Sequence, residues 1–286
     1  MVSMIIVDYK SMDKTIEYIK DCAWNIEGLN HFIIVDNASE TPFKPRKTTV
    51  EGKEVYVVSS GENGGYAKGN NLGAKTARDI WNDDYYIFSN NDLKFRKLFF
   101  LDEFLKPFRE DSNIAVVGPK VIGLSGENQN PLPDLTWKQM LFGHFLSLLP
   151  PKGMKRQQKK RVSTNKERTT AVVGAFMCTK AADFWEVEGF DENTFLFCEE
   201  MILAKRLEAI QKYMYYNDSV EVIHEHGVTV KNTVGIIRSL KADFNSRYYY
   251  AKEYCNAGKG WLALSKVNFN IVIALFKLKK SIKGNR

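Results

Sequence analysis

Residues 85–92 read Tyr-Tyr-Ile-Phe-Ser-Asn-Asn-Asp, an apolar run that passes directly into a polar turn ending at the carboxylate of Asp92. The run is typical of a buried strand, and parallel α/β sheets bind their ligands outside the carboxyl ends of such strands. A hard oxygen ligand there suits Mg²⁺ or Mn²⁺, which binds one or two carboxylates together with substrate phosphates. The stretch therefore predicts a metal-assisted nucleotide diphosphate site, whereas the plainer alternative is a polar turn that only closes a strand.

The rest of the chain alternates short apolar runs with amphipathic stretches, which indicates an α/β fold with a mixed, mainly parallel sheet flanked by helices. Strands are predicted at 4–7, 32–35, 55–58, 115–118, 171–179 and 220–223, and helices at 14–24, 68–81, 98–108, 199–211 and 233–254. The segment 124–168 is rich in Gly, Asn, Pro and Lys and predicts a loop insertion. We expect a catalytic domain over residues 1–230 and a helical C-terminal extension with a basic tail over 231–286.

The composition of the 286 residues, with 44% hydrophobic and 26% charged residues, is that of an ordinary globular protein. The four cysteines show neither zinc spacing nor a disulfide framework, which fits a reducing cytosol. The N-terminus lacks the basic flank and apolar core of a signal peptide. The longest candidate apolar stretches, at 140–149 and 271–276, are shorter than the roughly 20 residues that cross a bilayer, so we expect no membrane span.

The net charge of +7 is concentrated in two blocks, at 152–161 and 277–286, and each block follows an apolar segment. This pairing is expected of a surface that rests on anionic lipid, and the alternative is a solvated loop and a frayed tail. The basic residues are not interleaved with the aromatic residues of an RNA-binding sheet, so we expect no nucleic-acid partner.

Polar residues follow several predicted strands, and the carboxyl ends of parallel strands share one edge of a sheet. They comprise Asp8 and Tyr9, Asp36, the Asn90–Asp92 turn, and His224 with His226. Asp36 can accept a hydrogen bond from a base or ribose, which leaves Asp92 to the metal. Glycines at 64, 65 and 69 let the backbone approach a ligand, next to a helix start that favours negative charge.

A second pair of acids, Glu199 and Glu200, opens the predicted helix at 199–211 after an aromatic-rich loop. The helix dipole alone favours acids at that position. The functional alternative is that one of them is a general base. Adjacent helical residues point about 100° apart, so only one carboxylate can face a pocket squarely.

In series, these segments resemble the inverting glycosyltransferases of family 2, and most closely the bacterial rhamnosyltransferase-type members that build surface polysaccharides such as capsule. The motifs that carry the resemblance lie at 6–10, 35–39, 63–73, 89–92, 174–177, 189–192 and 197–200, with Arg206 and His224. The resemblance implies the GT-A (Rossmann-like) fold, a nucleotide-sugar donor such as dTDP-rhamnose or a UDP-hexose, and Mg²⁺ or Mn²⁺. The implied acceptor is a hydroxyl of a lipid-linked glycan on the inner face of the plasma membrane, where the enzyme would be cytoplasmic and peripheral.

The resemblance also assigns roles to residues. Asp92 and His224 would hold the metal, with His226 as the alternative ligand, and Glu200 would be the catalytic base beside Glu199. The residues assigned to the nucleotide sugar are Val7, Tyr9, Asp36, Asn63, Gly65, Lys68, Asn71 and Asn91.

This chain departs from the family pattern at two acids. The family usually has Glu-Asp at 199–200, and it has a further acid where this chain has Ile202. The loss of that acid supports a second hypothesis, a non-catalytic module of the same fold that binds nucleotides or glycans.

Overall fold

A computed structural model describes residues 1–38, 46–95, 98–146, 168–225 and 233–284 of the chain. The chain divides into two compact units. The described residues of the first unit lie within 1–132, 168–195 and 199–225, and those of the second within 133–146, 196–198 and 233–284.

The first unit is built on one large sheet, to which the described residues contribute ten strands. These are β1 (Val2–Asp8), β3 (His31–Asp36), β4 (Arg46–Val50), β5 (Lys53–Ser59), β6 (Tyr85–Ser89), β7 (Leu93–Lys94), β9 (Ile114–Gly123), β10 (Arg168–Thr169), β11 (Phe176–Lys180) and β12 (Tyr213–His224). Two short strands, β2 (Ile26–Glu27) and β8 (Phe99–Phe100), pair separately.

The strand order is β10-β12-β9-β11-β6-β1-β3-β5-β4, with β7 paired to β12. Strands β1, β3, β5, β6, β9 and β12 run in one direction, and β4, β7, β10 and β11 run against them. The predicted mixed, mainly parallel sheet is therefore confirmed. The chain leaves β1 toward β3 on one side and later returns as β6 on the other, which makes a topological switch point where α/β sheets place ligands.

Side chains of β1 alternate between two buried layers, as the period of a strand requires. Met4 and Ile6 pack in the layer of α1 (Met12–Asn25) and α3 (Leu101–Glu110), whereas Ile5 packs in the opposite layer. That layer holds α2 (Gly65–Ile80), α5 (Ala181–Glu186) and α6 (Glu199–Ala209). A Cβ atom on Gly73 of α2 would lie 2.4 Å from a methyl carbon of Ile5, so this glycine brings α2 close to the sheet.

The second unit contains three helices among its described residues: α4 (Trp137–Leu146), α7 (Thr233–Glu253) and α8 (Lys259–Gly284). Phe244 of α7 stacks on Phe269 of α8 with ring centroids 4.1 Å apart, and Leu141 of α4 is buried with Leu262 of α8. The helical C-terminal extension is thus present, and α8 extends nearly to the end of the chain.

Three sequence predictions were wrong in detail. The segment predicted as a loop insertion contains α4, which forms because Met140 and Leu141 are buried; residues 147–167 lie outside the described residues. The predicted strand 171–179 begins only at Phe176, since the preceding amides bond to side chains: Val173 N–H to Asn130 and Gly174 N–H to Glu200. The predicted helix at 98–108 begins at Leu101, after β8.

The expectation that no apolar stretch approaches the length needed to cross a bilayer also needs correction. Within α8, the 22 residues Lys259–Lys280 form a helix that is long and apolar enough to cross a membrane. The uninterrupted run at 271–276 underestimated this length because polar residues such as Lys266 and Asn270 divide the apolar residues along the sequence. The predicted basic block at 152–161 lies outside the described residues.

Candidate functional site

The carboxyl ends of β1, β3 and β6 meet at the switch point, with Asp8 opposite Asp36 in the parallel register. The buried Asp8 carboxylate accepts hydrogen bonds from the Ser11 hydroxyl at 2.8 Å and from the Thr15 hydroxyl at 2.7 Å. The same two hydroxyls accept from the Asn91 side-chain amide at 3.0 and 2.7 Å. This network ties the Asn90–Asp92 turn to the start of α1 and holds the turn in place.

Asp36 lies fully buried at the end of β3, and its carbonyl accepts from the Ser60 N–H at 3.0 Å. The side chain of the next residue, Asn37, donates to the Asn63 side-chain oxygen at 3.1 Å and accepts from the Gly64 N–H at 3.1 Å. Asp36 and Asn63, both predicted to contact the nucleotide sugar, therefore lie in one locally bonded cluster that Asn37 links together.

The start of α2 packs directly on the aromatic loop before α6. Gly65 has φ +79°, and a Cβ atom there would lie 2.1 Å from the Phe195 carbonyl oxygen. The Tyr66 N–H donates to that same oxygen at 2.9 Å. Only glycine fits this backbone conformation together with this close approach. Gly65 therefore has a structural requirement in addition to its predicted ligand role.

Asn71 of α2 holds the turn at 189–192 through side-chain hydrogen bonds to Phe190 and Glu192. Its side-chain oxygen accepts from the Phe190 N–H at 2.9 Å, and its amide donates to the Phe190 carbonyl at 2.9 Å and to the Glu192 carboxylate at 3.0 Å. The ligand contact predicted for Asn71 stays a prediction. The structure shows instead that Asn71 bonds to this turn.

The predicted base, Glu200, is half-buried at the first turn of α6 and is fixed by the main chain. Its Oε1 accepts from the Gly174 N–H at 2.8 Å, while the Gly174 carbonyl accepts from the Tyr66 hydroxyl at 2.7 Å. Burial raises the pKa of the Glu200 carboxyl, and the Gly174 hydrogen bond opposes the shift in part. Glu199 is buried beside it, at 3% exposure.

Tyr66 lies in the same electrostatic environment. Burial raises its pKa well above the ordinary value of tyrosine, and the carboxylates of Glu200 and Glu199 add to the shift. The hydroxyl is therefore a neutral donor at physiological pH and keeps its bond to Gly174. A carboxylate with a raised pKa, oriented by a main-chain amide, is suited to accept a proton.

Asp92 and His224 are brought together although they are far apart in sequence. The Asp92 Oδ1 lies 3.3 Å from the His224 Nε2, and the His224 Nδ1 lies 2.9 Å from the Gln129 Oε1. Pairing of β7 with β12, opposite Leu93 and His224, and a bond from the Glu225 N–H to the Asp92 carbonyl fix the two side chains next to each other.

This donor pair fits a hard divalent cation. Ligands at adjacent octahedral positions, about 2.1 Å from an ion, are about 3 Å apart, close to the separation of Asp92 Oδ1 and His224 Nε2. Within the described ranges no group of three or more His, Cys, Asp or Glu side chains that could hold a metal is present. Such a site would therefore take its remaining ligands from phosphate and water, which is common for Mg²⁺.

The remaining predicted residues are dispersed around this edge. Val7 packs against α2, where a Cβ on Gly69 would lie 2.8 Å from its Cγ1, and the Tyr9 side chain is exposed. Lys68 is exposed, with its Nζ 3.5 Å from a Glu62 carboxylate oxygen. His226 lies outside the described residues.

Sequence reasoning missed Gln129, Gly174 and Asn37 as site residues. Gly174 and Asn37 lay inside motifs that the resemblance used, so a signal was present for both. Gln129 lies 95 residues before His224 in a loop of turn-forming residues, and no local pattern marks it.

No family model matches the chain. A curated relative, the low-salt glycan biosynthesis hexosyltransferase Agl10 of Haloferax volcanii, is 26% identical over 228 residues, which cover 79% of this chain and 67% of the relative.

Two solved structures resemble the fold. The first is GalNAc-T7 with UDP, GalNAc and Mn²⁺, at a TM-score of 0.56 and 14% identity, which covers 87% of this chain. This chain spans only 49% of that protein. The second is the mannosyltransferase PcManGT of Pyrobaculum calidifontis with GDP-Man and Mn²⁺, at a TM-score of 0.52 and 10% identity, which covers 97% of this chain and 86% of the neighbour.

The fold is accordingly the GT-A fold of glycosyltransferases, and the chain is glycosyltransferase-like in both sequence and structure.

Proposed function

We propose that this protein is an inverting, metal-dependent glycosyltransferase of family 2 that moves one sugar from a nucleotide-sugar donor to a hydroxyl of a glycan acceptor. The observation that carries the proposal is the Asp92–His224 pair, whose 3.3 Å separation at the switch point suits one shared divalent cation. The hexosyltransferase relative and the two neighbours, one with UDP, GalNAc and Mn²⁺ and the other with GDP-Man and Mn²⁺, support the same class of reaction.

In this mechanism Glu200 is the general base. Its carboxylate takes the proton of the acceptor hydroxyl while that oxygen attacks the anomeric carbon from the face opposite the nucleotide. The new glycosidic bond forms as the bond to the diphosphate breaks, so the anomeric configuration inverts and the nucleoside diphosphate leaves. The Gly174 N–H holds Oε1 in place, which leaves Oε2 to receive the proton.

Asp92 and His224 would hold Mg²⁺ or Mn²⁺, which supplies neutralisation of the leaving diphosphate when bound. Gln129 fixes the His224 ring through Nδ1, so that Nε2 faces Asp92. The Asp36–Asn63 cluster and the start of α2 would bind the nucleotide and sugar, with Val7, Tyr9, Gly65, Lys68, Asn71 and Asn91 as the further predicted contacts.

For the donor we propose dTDP-rhamnose first and the UDP-hexoses next. The acceptor would be a lipid-linked precursor of a surface polysaccharide, and the enzyme would act as a peripheral protein on the cytoplasmic face of the membrane. The relative from Haloferax volcanii, a hexosyltransferase of glycan biosynthesis, supports a glycan acceptor.

The test is turnover of a panel of dTDP-, UDP- and GDP-sugars with Mn²⁺ and lipid-linked glycan extracts, followed by NMR of the product's anomeric configuration. We expect release of the nucleoside diphosphate from one donor class and an inverted product. A product with retained configuration would contradict the role of Glu200 as base.

The same assay separates the proposal from the alternative of a non-catalytic module of this fold. Donor binding without hydrolysis or transfer, in folded protein, would favour that alternative. Its sequence support is the missing acid at Ile202, and this residue is fully buried in α6, so an acid there would have pointed into the core of this structure.

A further inference from the structure

Helix α8 is rich in lysine and apolar residues, and only a small part of it is buried. Its 26 residues include six lysines and no acid, and its apolar residues are distributed along its whole length. The 22 residues Lys259–Lys280 are apolar enough to cross a membrane, yet only 22% of the most apolar window is buried. Most residues of that window are therefore not buried.

One face of α8 is occupied by the second unit itself. Leu262, Phe269, Val272 and Ile273 are buried, and Phe269 stacks on Phe244 of α7 at 4.1 Å between ring centroids. Leu262 is buried in one cluster with Leu141 of α4. These contacts fix which side of α8 faces its neighbours.

The opposite face carries a continuous stripe of exposed apolar side chains. Successive members are three or four residues apart, so they align along one side of the helix. Each is between 45% and 58% exposed: Trp261, Leu264, Val267, Ile271, Leu275 and Leu278. We call this set the outer stripe. Single exposed apolar residues are ordinary, but a row of six on one helix marks an interaction surface.

Aromatic and basic residues of α4 extend the outer stripe at its N-terminal end. The Trp261 ring packs edge-on against Trp137 at 6.3 Å and against Phe142 at 6.1 Å between centroids. The Lys138 Nζ lies 4.5 Å from the Trp261 ring centroid. Tryptophan next to lysine is the combination that is enriched where proteins meet the headgroup region of a bilayer.

The charge of α8 indicates which kind of partner can cover the outer stripe. At the C-terminal end of the stripe, Lys277, Lys279 and Lys280 are exposed, and Lys259 is exposed at the other end. A second copy of α8 would bring six further lysines close to the six of the first copy, which like-charge repulsion opposes. An anionic lipid surface instead attracts these lysines and buries the stripe.

We propose that the outer stripe of α8, with its flanking lysines, is a docking surface for an anionic membrane on which the helix lies in the plane of the headgroups. The helix does not span the bilayer, because its other face is packed against α4 and α7. This proposal rests on the proposed function, because docking would bring the enzyme to a membrane that holds lipid-linked acceptors. The lipid contact itself requires no sugar transfer.

The test is cosedimentation of the full chain with vesicles of phosphatidylcholine alone or with about one third phosphatidylglycerol, in the absence of any sugar donor. A stripe variant carries Leu264→Gln, Ile271→Gln and Leu275→Gln. The matched control carries Ala263→Gln and Asn270→Gln, which are exposed on the same helix but outside the stripe. Circular dichroism checks that each variant is folded.

We expect the wild type and the control to bind anionic vesicles, and the stripe variant to bind at least about tenfold more weakly. Substitution of Lys277, Lys279 and Lys280 by Gln is expected to weaken binding to anionic vesicles, by about fivefold per lysine, and to make it less sensitive to salt.

Three results would overturn the proposal: no binding of the wild type, equal binding of the stripe variant and the control, or a wild-type dimer that becomes monomeric in the stripe variant. Resistance of the membrane-bound protein to extraction by high salt and alkali would show a spanning helix instead. Failure of vesicle binding would leave nucleotide-sugar turnover unaffected with a soluble acceptor, so the two proposals can fail separately.

Discussion

At the scale of single residues, Glu200 joins two properties that a general base needs. Burial raises the pKa of its carboxyl, and the Gly174 N–H fixes one of its oxygens at 2.8 Å. A base with a raised pKa is a better proton acceptor once ionised, and it is ionised only above that pKa. The proposed activity should therefore depend on pH through this carboxyl.

Glu200→Gln tests this role with little change in shape, since the amide oxygen can still accept from the Gly174 N–H. We expect the rate of transfer to fall by about 100- to 10,000-fold, the usual contribution of general base catalysis. Donor binding should persist. A variant that keeps wild-type kcat would contradict the assignment.

The pH dependence provides an independent measurement on Glu200. The kcat/KM of the wild type should fall on the acid side at a pH above the ordinary pKa of glutamate, because the ionised carboxylate is the active form. The stability of the fold should depend on pH in the opposite direction. Because the pKa of Glu200 is raised in the folded state, its protonated form favours folding at low pH, and this contribution is lost as the pH rises. Glu200→Gln should therefore raise Tm at neutral pH, and this advantage should vanish near pH 4.

Gln129 is the residue that holds the His224 ring. Gln129→Ala removes the partner of Nδ1 and should weaken Mn²⁺ binding by about 10- to 100-fold, as loss of such supporting contacts does in known metal sites. Isothermal titration with Mn²⁺ and a nucleotide measures the effect. The control is Asn128→Ala. Asn128 lies in the same loop as Gln129 and donates to the Tyr216 hydroxyl, and the variant should bind Mn²⁺ normally.

The sequence indicated the candidate residues that the sheet brings together, but it did not indicate the contacts that hold them. The Asp92 turn and His224 could be singled out because each directly follows an apolar run that is read from neighbouring residues; their roles stay predictions. Gln129 and the Gly174–Glu200 bond depend on contacts between distant segments, and no local pattern encodes such contacts.

At the scale of elements, the start of α2 is joined to the loop before α6 by backbone contact. Gly65 adopts φ +79° and leaves no room for a Cβ against the Phe195 carbonyl, to which Tyr66 donates. Tyr66 also reaches Gly174, the partner of Glu200. The first turn of α2 therefore helps to position the proposed base.

Gly65→Ala and Gly61→Ala separate backbone strain from steric clash. Both glycines have positive φ, at +79° and +75°, but a Cβ on Gly61 meets nothing within 4 Å. We expect Gly61→Ala to cost about 1–2 kcal/mol in the free energy of unfolding, and Gly65→Ala to cost about 1–3 kcal/mol more. Urea denaturation measures both, and equal costs would show that the Phe195 contact is loose.

Elements with strong local patterns were predicted from the sequence, including β1, β3, β5, β6 and α2. Residues 171–175 were wrongly assigned to a strand, since Ala171, Val172 and Ala175 are buried but the N–H groups of Val173 and Gly174 bond to side chains instead of to a neighbouring strand. Helix α4 was missed because the amphipathic pattern is weak and its packing partners, α7 and α8, follow much later in the chain.

At the scale of the whole molecule, the sheet of the first unit explains how so many distant residues meet at the proposed site. Strands β1, β3 and β6 run in parallel, so Asp8, Asp36 and the Asn90–Asp92 turn emerge at the same edge, and β12 brings His224 to Asp92 through β7. The mainly parallel order, which the alternating pattern predicts, decides the location of the site. The side-chain contacts decide its chemistry.

The central claim is that Asp92 and His224 bind a divalent cation together with a nucleotide sugar. The most direct test is calorimetric titration of the wild type and of Asp92→Ala with dTDP- and UDP-sugars, each with and without Mn²⁺. We predict that one nucleotide class binds the wild type in a manner that requires Mn²⁺, and that Asp92→Ala loses this metal-dependent binding while it remains folded. Binding that is equally strong without metal, or unchanged in Asp92→Ala, would contradict the account.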